Sequence, residues 1–387
     1  MQRSVYLDHA ATTPVHPEVL AAMLPYFTRN FGNPSSVHAF GRESRIAVDK
    51  ARATIANAIN ADAREIVFTS GGTEADNMAI QGVAIAMADK GKHIITSSVE
   101  HHAVLDTCEY LAKQGWEVTF LPVDEFGRIS LADLEAAIRP DTVLISLIHG
   151  NNEVGTMQPV AEVGELARKK GIVFHVDAVQ TVGTIPVDVK ALKVDLLSFS
   201  AHKFYGPKGI GALYIRKGTR IKPLVHGGGQ ERKYRPGTEN HAAIVGMARA
   251  LEFALENMSD NVDRVTALRD RLIKGLLEIP EVRLNGHPTD RLPGNVNVGI
   301  RYVEGESLIL SLDMKGVAVS SGSACTSGAL DPSHVLLAMG MSHEIAHGSL
   351  RLTLGIDTTD EDIDYVLSIM PAIVDRLRKM SPLYNEK

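Results

Sequence analysis

Lys203 is the residue of this sequence whose surroundings point most directly to covalent chemistry. It lies in SFSAHKFYGPKGIG (residues 198–211), where Ser200 and His202 flank it and glycines follow. A lysine beside other cationic or apolar groups loses its proton easily and can form a Schiff base with a carbonyl compound. The alternative is a surface lysine whose charged end reaches solvent from a loop, which is the commoner situation.

Asp177 ends the apolar stretch VFHVD, and Gln180 follows it three residues later. A carboxylate at the end of a buried strand points into the crevice at the edge of a sheet. It could pair there with a protonated ring nitrogen and keep that nitrogen charged. The alternative is an aspartate that caps a helix, because Asp is a favoured capping residue.

The segment SGGTEADN (residues 70–77) lies between a predicted strand and a predicted helix. Gly71 and Gly72 allow a tight turn, and we expect Thr73 to cap the helix and to donate from its hydroxyl. A helix N-terminus approached in this way can bind a phosphate group. The segment lacks the G-K-[ST] ending of a Walker A loop. The alternative is an ordinary strand–turn–helix with a threonine cap.

A phosphate cradle, a partner for a ring nitrogen and a Schiff-base lysine together describe a site for pyridoxal phosphate. His101 follows another strand at the same edge and could lie flat on the cofactor ring. We expect His102 to be solvated. A metal site built on this histidine pair is disfavoured, because adjacent helical side chains diverge.

Asn151 and Asn152, after the strand TVLISLI, could donate to a substrate or could form a simple turn. Arg351 interrupts an apolar strand and would bind a carboxylate in bidentate fashion, or form a salt bridge between domains. Cys325 lies in SSGSACTSGALDPSH, whose turn-like, polar character predicts a mobile loop and a reachable thiol. Cys108 lies in an amphipathic helix pattern and is predicted to be a small buried side chain.

Alternating strand and helix patterns must position these residues. The predicted strands are Glu65–Ser70, His93–Ser98, Glu117–Val123, Thr142–Ile148, Val173–Asp177, Asp195–Ser200 and Gly211–Arg216. Helical patterns lie between most of them, at Glu74–Lys90, His102–Gln114, Leu131–Ile138 and Val160–Lys170. This arrangement predicts an α/β fold with a mostly parallel sheet covered by helices on both faces. Ligands bind at the carboxyl ends of such strands.

The pattern changes after Gly237. The predicted helices are Ala242–Asn257, Val262–Leu277, Glu306–Met314, Ser333–Gly340 and Asp360–Met380, and the predicted strands are Val282–Asn285, Gly294–Ile300 and Ser349–Leu354. We therefore expect two domains: a large one at residues 13–258, and a smaller α+β domain formed by residues 1–12 and 259–387. The smaller domain would carry the Cys325 loop.

Composition excludes several classes of protein. The chain has 387 residues, 44% hydrophobic and 22% charged, which is typical of a globular enzyme. Its net charge of −6 argues against a nucleic-acid-binding protein. No apolar stretch is long enough to span a membrane, and the N-terminus has no apolar signal core, so we expect a cytoplasmic protein. Two cysteines cannot form a disulfide framework or a zinc knuckle.

Taken together, these segments resemble the cysteine desulfurases of the NifS/IscS type, within the fold-type I pyridoxal phosphate enzymes and the class-V aminotransferase superfamily. The resemblance runs from end to end. It is carried by YLDHAATTP, FGNPSSVH, TSGGTEADN, EHHAVL, NNEVG, HVDAVQ, SAHKFYGPKGIG, RPGTEN and SSGSACTSG, in that order. It implies a large domain with a seven-stranded sheet and a homodimer.

The resemblance also implies a role for each candidate residue. Lys203 would bind the cofactor covalently. Asp177 would pair with its ring nitrogen, and Gln180 would donate a hydrogen bond to its phenolic oxygen. His101 would stack on the ring and move protons. The phosphate would be bound by the segment around Gly72, with Thr73, Ser200 and His202, and by Thr238 of a second subunit. Asn152 and Arg351 would hold the substrate carboxylate, and no metal is implied.

Cys325 would be the nucleophile that takes the sulfur of L-cysteine as a persulfide and leaves L-alanine. The sulfur would pass to an acceptor such as a scaffold protein for iron–sulfur clusters, because this chain lacks the cysteines to hold a cluster. The alternatives are a selenocysteine lyase, a class-V aminotransferase, and a cofactor-binding scaffold without turnover. The sequence does not distinguish general cluster assembly from nitrogenase maturation or transfer-RNA thiolation.

Overall fold

A computed structural model describes residues 4–321, 332–382 and 384 of the chain. The strands within these residues are β1 (Val5–Tyr6), β2 (Ile66–Thr69), β3 (His93–Ser97), β4 (Glu117–Leu121), β5 (Thr142–Ile148), β6 (Val173–Asp177), β7 (Leu196–Ser200), β8 (Gly211–Ile215), β9 (Val282–Leu284), β10 (Asn295–Ile300), β11 (Val317–Ala318) and β12 (Ser349–Thr353). The helices are α1 (Pro17–Met23), α2 (Pro25–Thr28), α3 (Ala39–Ala58), α4 (Gly72–Met87), α5 (His102–Lys113), α6 (Leu131–Ala137), α7 (Val160–Lys170), α8 (His241–Glu256), α9 (Met258–Leu277), α10 (Gly305–Asp313), α11 (His334–Ala338), α12 (His343–His347) and α13 (Asp360–Met380).

Seven strands form the main sheet in the order β2-β8-β7-β6-β5-β3-β4. Strand β8 runs antiparallel to both of its neighbours, and the remaining pairs are parallel. All seven residues of β5 are buried, as expected for a central strand covered on both faces. The predicted α/β class and mostly parallel seven-stranded sheet are confirmed.

The two faces of this sheet are covered by different helices. Alternate strand residues point to opposite faces, so Val67 packs with α4 and α5 while its neighbours Ile66 and Phe68 pack with α3 and α8. Buried residues of α6 and α7 belong to the same core as α3 and α8. Because only β8 runs antiparallel to its neighbours, all of the other strands of this sheet have their carboxyl ends at one edge.

The C-terminal part of the chain builds a separate hydrophobic core. Strands β12, β10 and β9 form an antiparallel sheet in that order, and β1 pairs with β11. Val5 and Leu7 of the N-terminal segment pack in this core together with residues of α9, α10 and α13. These contacts support the predicted domain division near residue 258, which stays a prediction.

Every strand and helix predicted from the sequence is present, with ends shifted by a few residues. The 20-residue helix α3 was missed. Its buried stripe includes Ser44, Val48, Ala51 and Ile55, which follow helical spacing. Two of these four side chains are small or polar, so the buried face is hardly more apolar than the rest of the helix. The sequence therefore shows no clear amphipathic pattern here. No helix in the described part of the chain is long and apolar enough to cross a membrane.

Candidate active site

The predicted site residues converge at the carboxyl edge of the main sheet. Strand β6 ends at Asp177, and β7 ends at Ser200, which is followed by a short 3₁₀ turn, Ala201–Lys203. Strand β2 leads through Gly71 into α4, and β3 leads to His101 at the start of α5. The parallel direction of these strands is what brings residues from four separate segments to one crevice.

Asp177 is buried, with 3% of its surface exposed, and its Oδ1 accepts a hydrogen bond from the Val179 amide at 2.9 Å. Burial raises the pKa of Asp177 to about 6, while the charge of Lys203 acts to lower it. A nearby cation stabilises the ionised form of such a buried carboxylate. A protonated ring nitrogen would supply that charge.

Lys203 lies over the turn formed by residues 8–13, which we call the N-terminal turn. The Lys203 Nζ donates to the carbonyls of Ala10 at 2.5 Å and Ala11 at 2.9 Å. Gln180 Nε2 donates to the same Ala10 carbonyl at 3.0 Å, and His202 Nδ1 lies 3.1 Å from Thr12 Oγ1. The individual residues of this turn gave no sequence signal for a functional site, although the turn is part of the motif YLDHAATTP.

His101 caps α5, because its Nδ1 accepts a hydrogen bond from the Ala103 amide at 3.1 Å. Burial, reinforced by the charge of Lys203, lowers the pKa of His101 to about 4. The imidazole is therefore neutral at physiological pH, as stacking on an electron-poor ring would require. His102 is half-exposed and bonds to Asp106.

The start of α4 has the shape of an anion cradle. The helix begins at Gly72, and its N-cap, Gly71, provides no side-chain hydrogen bond. A Cβ built on Gly71 would lie 3.8 Å from Ser200 Oγ, so the open helix end and this hydroxyl face the same space. The expectation that Thr73 caps this helix is wrong. Gly71 occupies the cap position, and Thr73 lies exposed in the first turn.

Arg351 is buried on β12, and its side chain makes two hydrogen bonds to described residues. Its Nη2 lies 3.0 Å from Asp8 Oδ1, and its Nη1 donates to the Asn152 carbonyl at 3.1 Å. Its Nε is buried and has no hydrogen-bond partner among the described residues. Asn151 forms a turn, which was one of the two roles considered for it. Its Oδ1 accepts hydrogen bonds from the backbone amides of Glu153 and Val154.

Thr238 lies apart from this group, and Cys325 is not among the residues that the structure describes. Thr238 is exposed on the loop before α8, where Arg235 forms an ion pair with Glu74 of α4. On the N-terminal side of Cys325, the backbone of Ser320 bonds to that of Arg351, and on its C-terminal side His334 Nε2 lies 2.9 Å from the Glu100 carbonyl.

The groups at this edge fit pyridoxal phosphate. The buried carboxylate suits its pyridinium nitrogen, and the lysine suits its aldehyde. The neutral histidine suits its ring, and the open helix end suits its phosphate. Among the described residues, no group of three or more histidine, cysteine, aspartate or glutamate side chains could hold a metal ion.

The chain is similar to known proteins over almost its whole length. The family model "Aminotransferase class-V" matches residues 5–366. The chain is 58% identical to "Cysteine desulfurase IscS" of Methanosarcina thermophila, covering 98% of this chain and 94% of the relative.

Two solved structures are also similar. A "NifS-like protein" has a TM-score of 0.92 at 40% identity, covering 97% of this chain and 100% of that one. The structure described as "SspA in complex with cysteine" has a TM-score of 0.81 at 37% identity, covering 91% and 99%. The chain belongs to the class-V aminotransferase family and, within it, to the cysteine desulfurases of the NifS/IscS type.

Proposed function

We propose that this chain is a cysteine desulfurase that converts L-cysteine to L-alanine and holds the sulfur as a persulfide on Cys325. The observation that carries the proposal is 58% identity, over almost the whole chain, to a protein named cysteine desulfurase. The convergence of Lys203, Asp177 and the Gly72 helix end supports it, because these three groups suit the cofactor that such an enzyme uses.

Pyridoxal phosphate is the cofactor, and when bound it withdraws electrons from the bonds around Cα of an amino acid. We assign its binding to Lys203, Asp177 and Gln180, to His101 against its ring, and to a phosphate cradle. The cradle comprises the segment at Gly72 and the side chains of Thr73, Ser200 and His202. Asp177 contributes a negative charge in a dry environment, where its attraction to the ring nitrogen is strong.

The substrate would be oriented by its carboxylate. Arg351 offers its unpaired Nε, and Asn152 adjoins it through its own carbonyl. We assign to the Lys203 amine the removal of the proton from Cα and the return of a proton during the reaction. His101 is neutral, so it could also accept and return a proton.

The sulfur transfer itself needs the thiolate of Cys325. This thiolate attacks the substrate sulfur, so that an S–S bond forms while the substrate C–S bond breaks. The substrate carbon keeps the electron pair of the broken bond and takes up a proton, which gives alanine. The persulfide then carries the sulfur to an acceptor, and we propose an iron–sulfur scaffold protein as that acceptor.

We also propose a homodimer in which Thr238 of one subunit completes the phosphate cradle of the other. Exposed apolar side chains support this, and we call them the N-terminal apolar surface: Leu20, Leu24, Phe27, Phe31, Val37, Phe40 and Ile46. Clusters of exposed large hydrophobic residues mark interaction sites. Glu239, beside Thr238, bonds to Arg45 at 2.7 Å, which links the Thr238 loop to this surface. A cytoplasmic location stays a prediction.

The test is a turnover assay on the purified protein with pyridoxal phosphate, L-cysteine and a thiol reductant. We expect alanine and sulfide in equal yields, lost in Cys325→Ala. Cys108→Ala is the matched control, because Cys108 is wholly buried and burial raises its pKa to about 12. Alanine without sulfide, or turnover unaffected by Cys325→Ala, would contradict the proposal. The first result would favour an aminotransferase, and selective turnover of selenocysteine would favour a lyase.

A further inference from the structure

Asp8 is an acidic residue in the active site that the proposed reaction does not use. Its Oδ1 lies 3.0 Å from Arg351 Nη2, so a carboxylate of the chain itself contacts the guanidinium assigned to the substrate carboxylate. The two residues are 343 positions apart in the sequence, and the fold brings them together.

The hydrogen bonds of Arg351 show which of its N–H groups could still bind a ligand. A guanidinium carries five N–H groups in a planar fork. Nη1 donates to the Asn152 carbonyl, Nη2 contacts Asp8, and Nε is buried without a partner. The edge formed by Nε and Nη2 is therefore the one on which a carboxylate could bind in bidentate fashion. That edge shares Nη2 with Asp8.

The two partners differ in how easily they can move. The side chain of Arg351 is 3% exposed, whereas that of Asp8 is 21% exposed. With so little contact with water, the charge of Arg351 is strongly stabilised by a nearby anion. Asp8 can exchange its contact for solvent at much lower cost. Asp8 is thus the displaceable member of the pair.

The backbone of Asp8 is fixed independently of its side chain. The Asp8 carbonyl accepts hydrogen bonds from the Ala11 amide at 3.0 Å and from the Tyr6 hydroxyl at 3.1 Å. Asp8 also forms a β-bridge with Thr353 on β12. Replacing the carboxylate with an amide would therefore leave the N-terminal turn in place.

We propose that Asp8 is the resident counter-ion of Arg351 and competes with the substrate carboxylate for it, which makes Asp8 a determinant of substrate affinity. This inference rests on the proposed function, because it takes Arg351 as the carboxylate site. The negative charge of Asp8 keeps the buried guanidinium paired in the free enzyme. It also weakens every ligand that binds through a carboxylate, including the product alanine.

The test compares Asp8→Asn with the unchanged holoenzyme, using ligands that separate the carboxylate from the amine. Propionate has the carboxylate alone, and cysteamine has the amine and thiol without the carboxylate. We expect Asp8→Asn to tighten propionate binding about tenfold in isothermal titration, because Arg351 loses a competing anion. The KM for L-cysteine should fall in the same direction, while cysteamine binding should stay within twofold.

Asp89→Asn is the matched control, because Asp89 forms an exposed ion pair with Arg220 away from the site. Unchanged or weaker propionate binding in Asp8→Asn would overturn the proposal, and so would equal changes for propionate and cysteamine. If Asp8→Asn does not fold, Asp8→Ser removes the same charge and must give the same result. A holoenzyme that does not desulfurate cysteine would instead contradict the proposed function, whatever Asp8→Asn does.

Discussion

Buried carboxyl groups are concentrated around the end of β6. Asp177 lies on this strand, and Asp76 and Glu100 are buried beside it. Burial raises the pKa of Asp76 well above its ordinary value, and the charge of Asp177 acts in the same direction. Since like charges in a dry site cannot all ionise, burial and the charge of Asp177 together favour the neutral form of Asp76. This division suits a site in which only Asp177 meets a cationic ring.

Glu100 gives a prediction for the pH dependence of stability. Burial raises its pKa to about 8, whereas the unfolded chain has the ordinary value of 4.5. Folding therefore takes up a proton between these values, and the contribution of Glu100 to stability is progressively lost as pH rises toward 8. From pH 6.5 to 8 we expect a loss of about 1 to 2 kcal/mol.

The measurement is urea unfolding of the holoenzyme and of Glu100→Gln at pH 6.5 and pH 8. The amide cannot ionise but can still accept the hydrogen bond that Ser97 Oγ donates to Glu100 Oε1. The variant should therefore lose less stability than the unchanged protein over this range. Equal losses in the two proteins would show that Glu100 does not ionise on unfolding.

At the residue level, sequence reasoning correctly placed the candidate residues that lie at or just after the end of a strand. Asp177 and Ser200 are the last residues of buried strands, and Lys203 follows three residues after one. The apolar stretch of a buried strand is a local signal, so the position of each residue at the strand end could be predicted from a few neighbouring residues. Asp8 has no such signal, because its partner Arg351 lies on a strand at the other end of the chain.

At the level of secondary structure, the first turn of α4 gives a second prediction. A Cβ on Gly72 would lie 2.7 Å from Val179 Cγ2, so Gly72→Ala must displace either the helix end or Val179. We expect the dissociation constant of pyridoxal phosphate to rise about tenfold, because the backbone N–H groups at the helix end lose their alignment with the phosphate.

Gly171→Ala is the control for this substitution. Gly171 ends α7 in a left-handed conformation with a φ of 69° and has open space around it. Alanine there should cost about 1 kcal/mol of stability and leave cofactor binding unchanged. Absorption titration of the two variants separates these effects. Equal cofactor affinity in Gly72→Ala and the unchanged protein would contradict a phosphate cradle at this helix.

Strand β2 lies at the edge of the main sheet and is covered by a buried ion pair. Arg52 of α3 forms two hydrogen bonds to Glu231, at 2.6 and 2.7 Å, and Glu231 also accepts one from the Phe68 amide. Glu231, Arg232 and Lys233 all have positive φ values, which are strained for residues with a side chain. The ion pair therefore holds a strained segment against the sheet edge.

Glu231→Gln should destabilise the protein by about 3 kcal/mol, because it leaves the Arg52 charge buried without a full partner. Glu281→Gln is the matched control, since Glu281 pairs with Arg301 at the exposed surface and should show little change. Thermal or urea unfolding measures both variants. Equal stability of the two would mean that solvent reaches Arg52 and replaces the lost charge.

At the level of the whole molecule, the N-terminal apolar surface predicts the assembly state. The rings of Phe31 and Phe40 lie 5.7 Å apart and are 59% and 53% exposed. We expect the double variant Phe31→Asp/Phe40→Asp to sediment as a monomer and to bind pyridoxal phosphate more weakly, because Thr238 of the second subunit would be absent.

The control is Leu310→Asp/Met314→Asp, which changes two equally exposed apolar residues at α10 and just after it. This variant should keep the assembly state of the unchanged protein. A dimer that survives the phenylalanine substitutions but dissociates with the α10 substitutions would move the interface to the smaller predicted domain. Sedimentation velocity distinguishes these cases directly.

The N-terminal turn sets a condition on how the enzyme is made. Its residues 8–13 are synthesised well before Lys203 and Arg351, the residues that they contact in the folded chain. Strand β1, which leads into this turn, pairs with β11, so it too must wait for most of the chain. Contacts between such distant segments form late. A chain interrupted during translation before β12 would contain Lys203 and Asp177 without Arg351, so the substrate site that we propose becomes complete only after β12 has been synthesised.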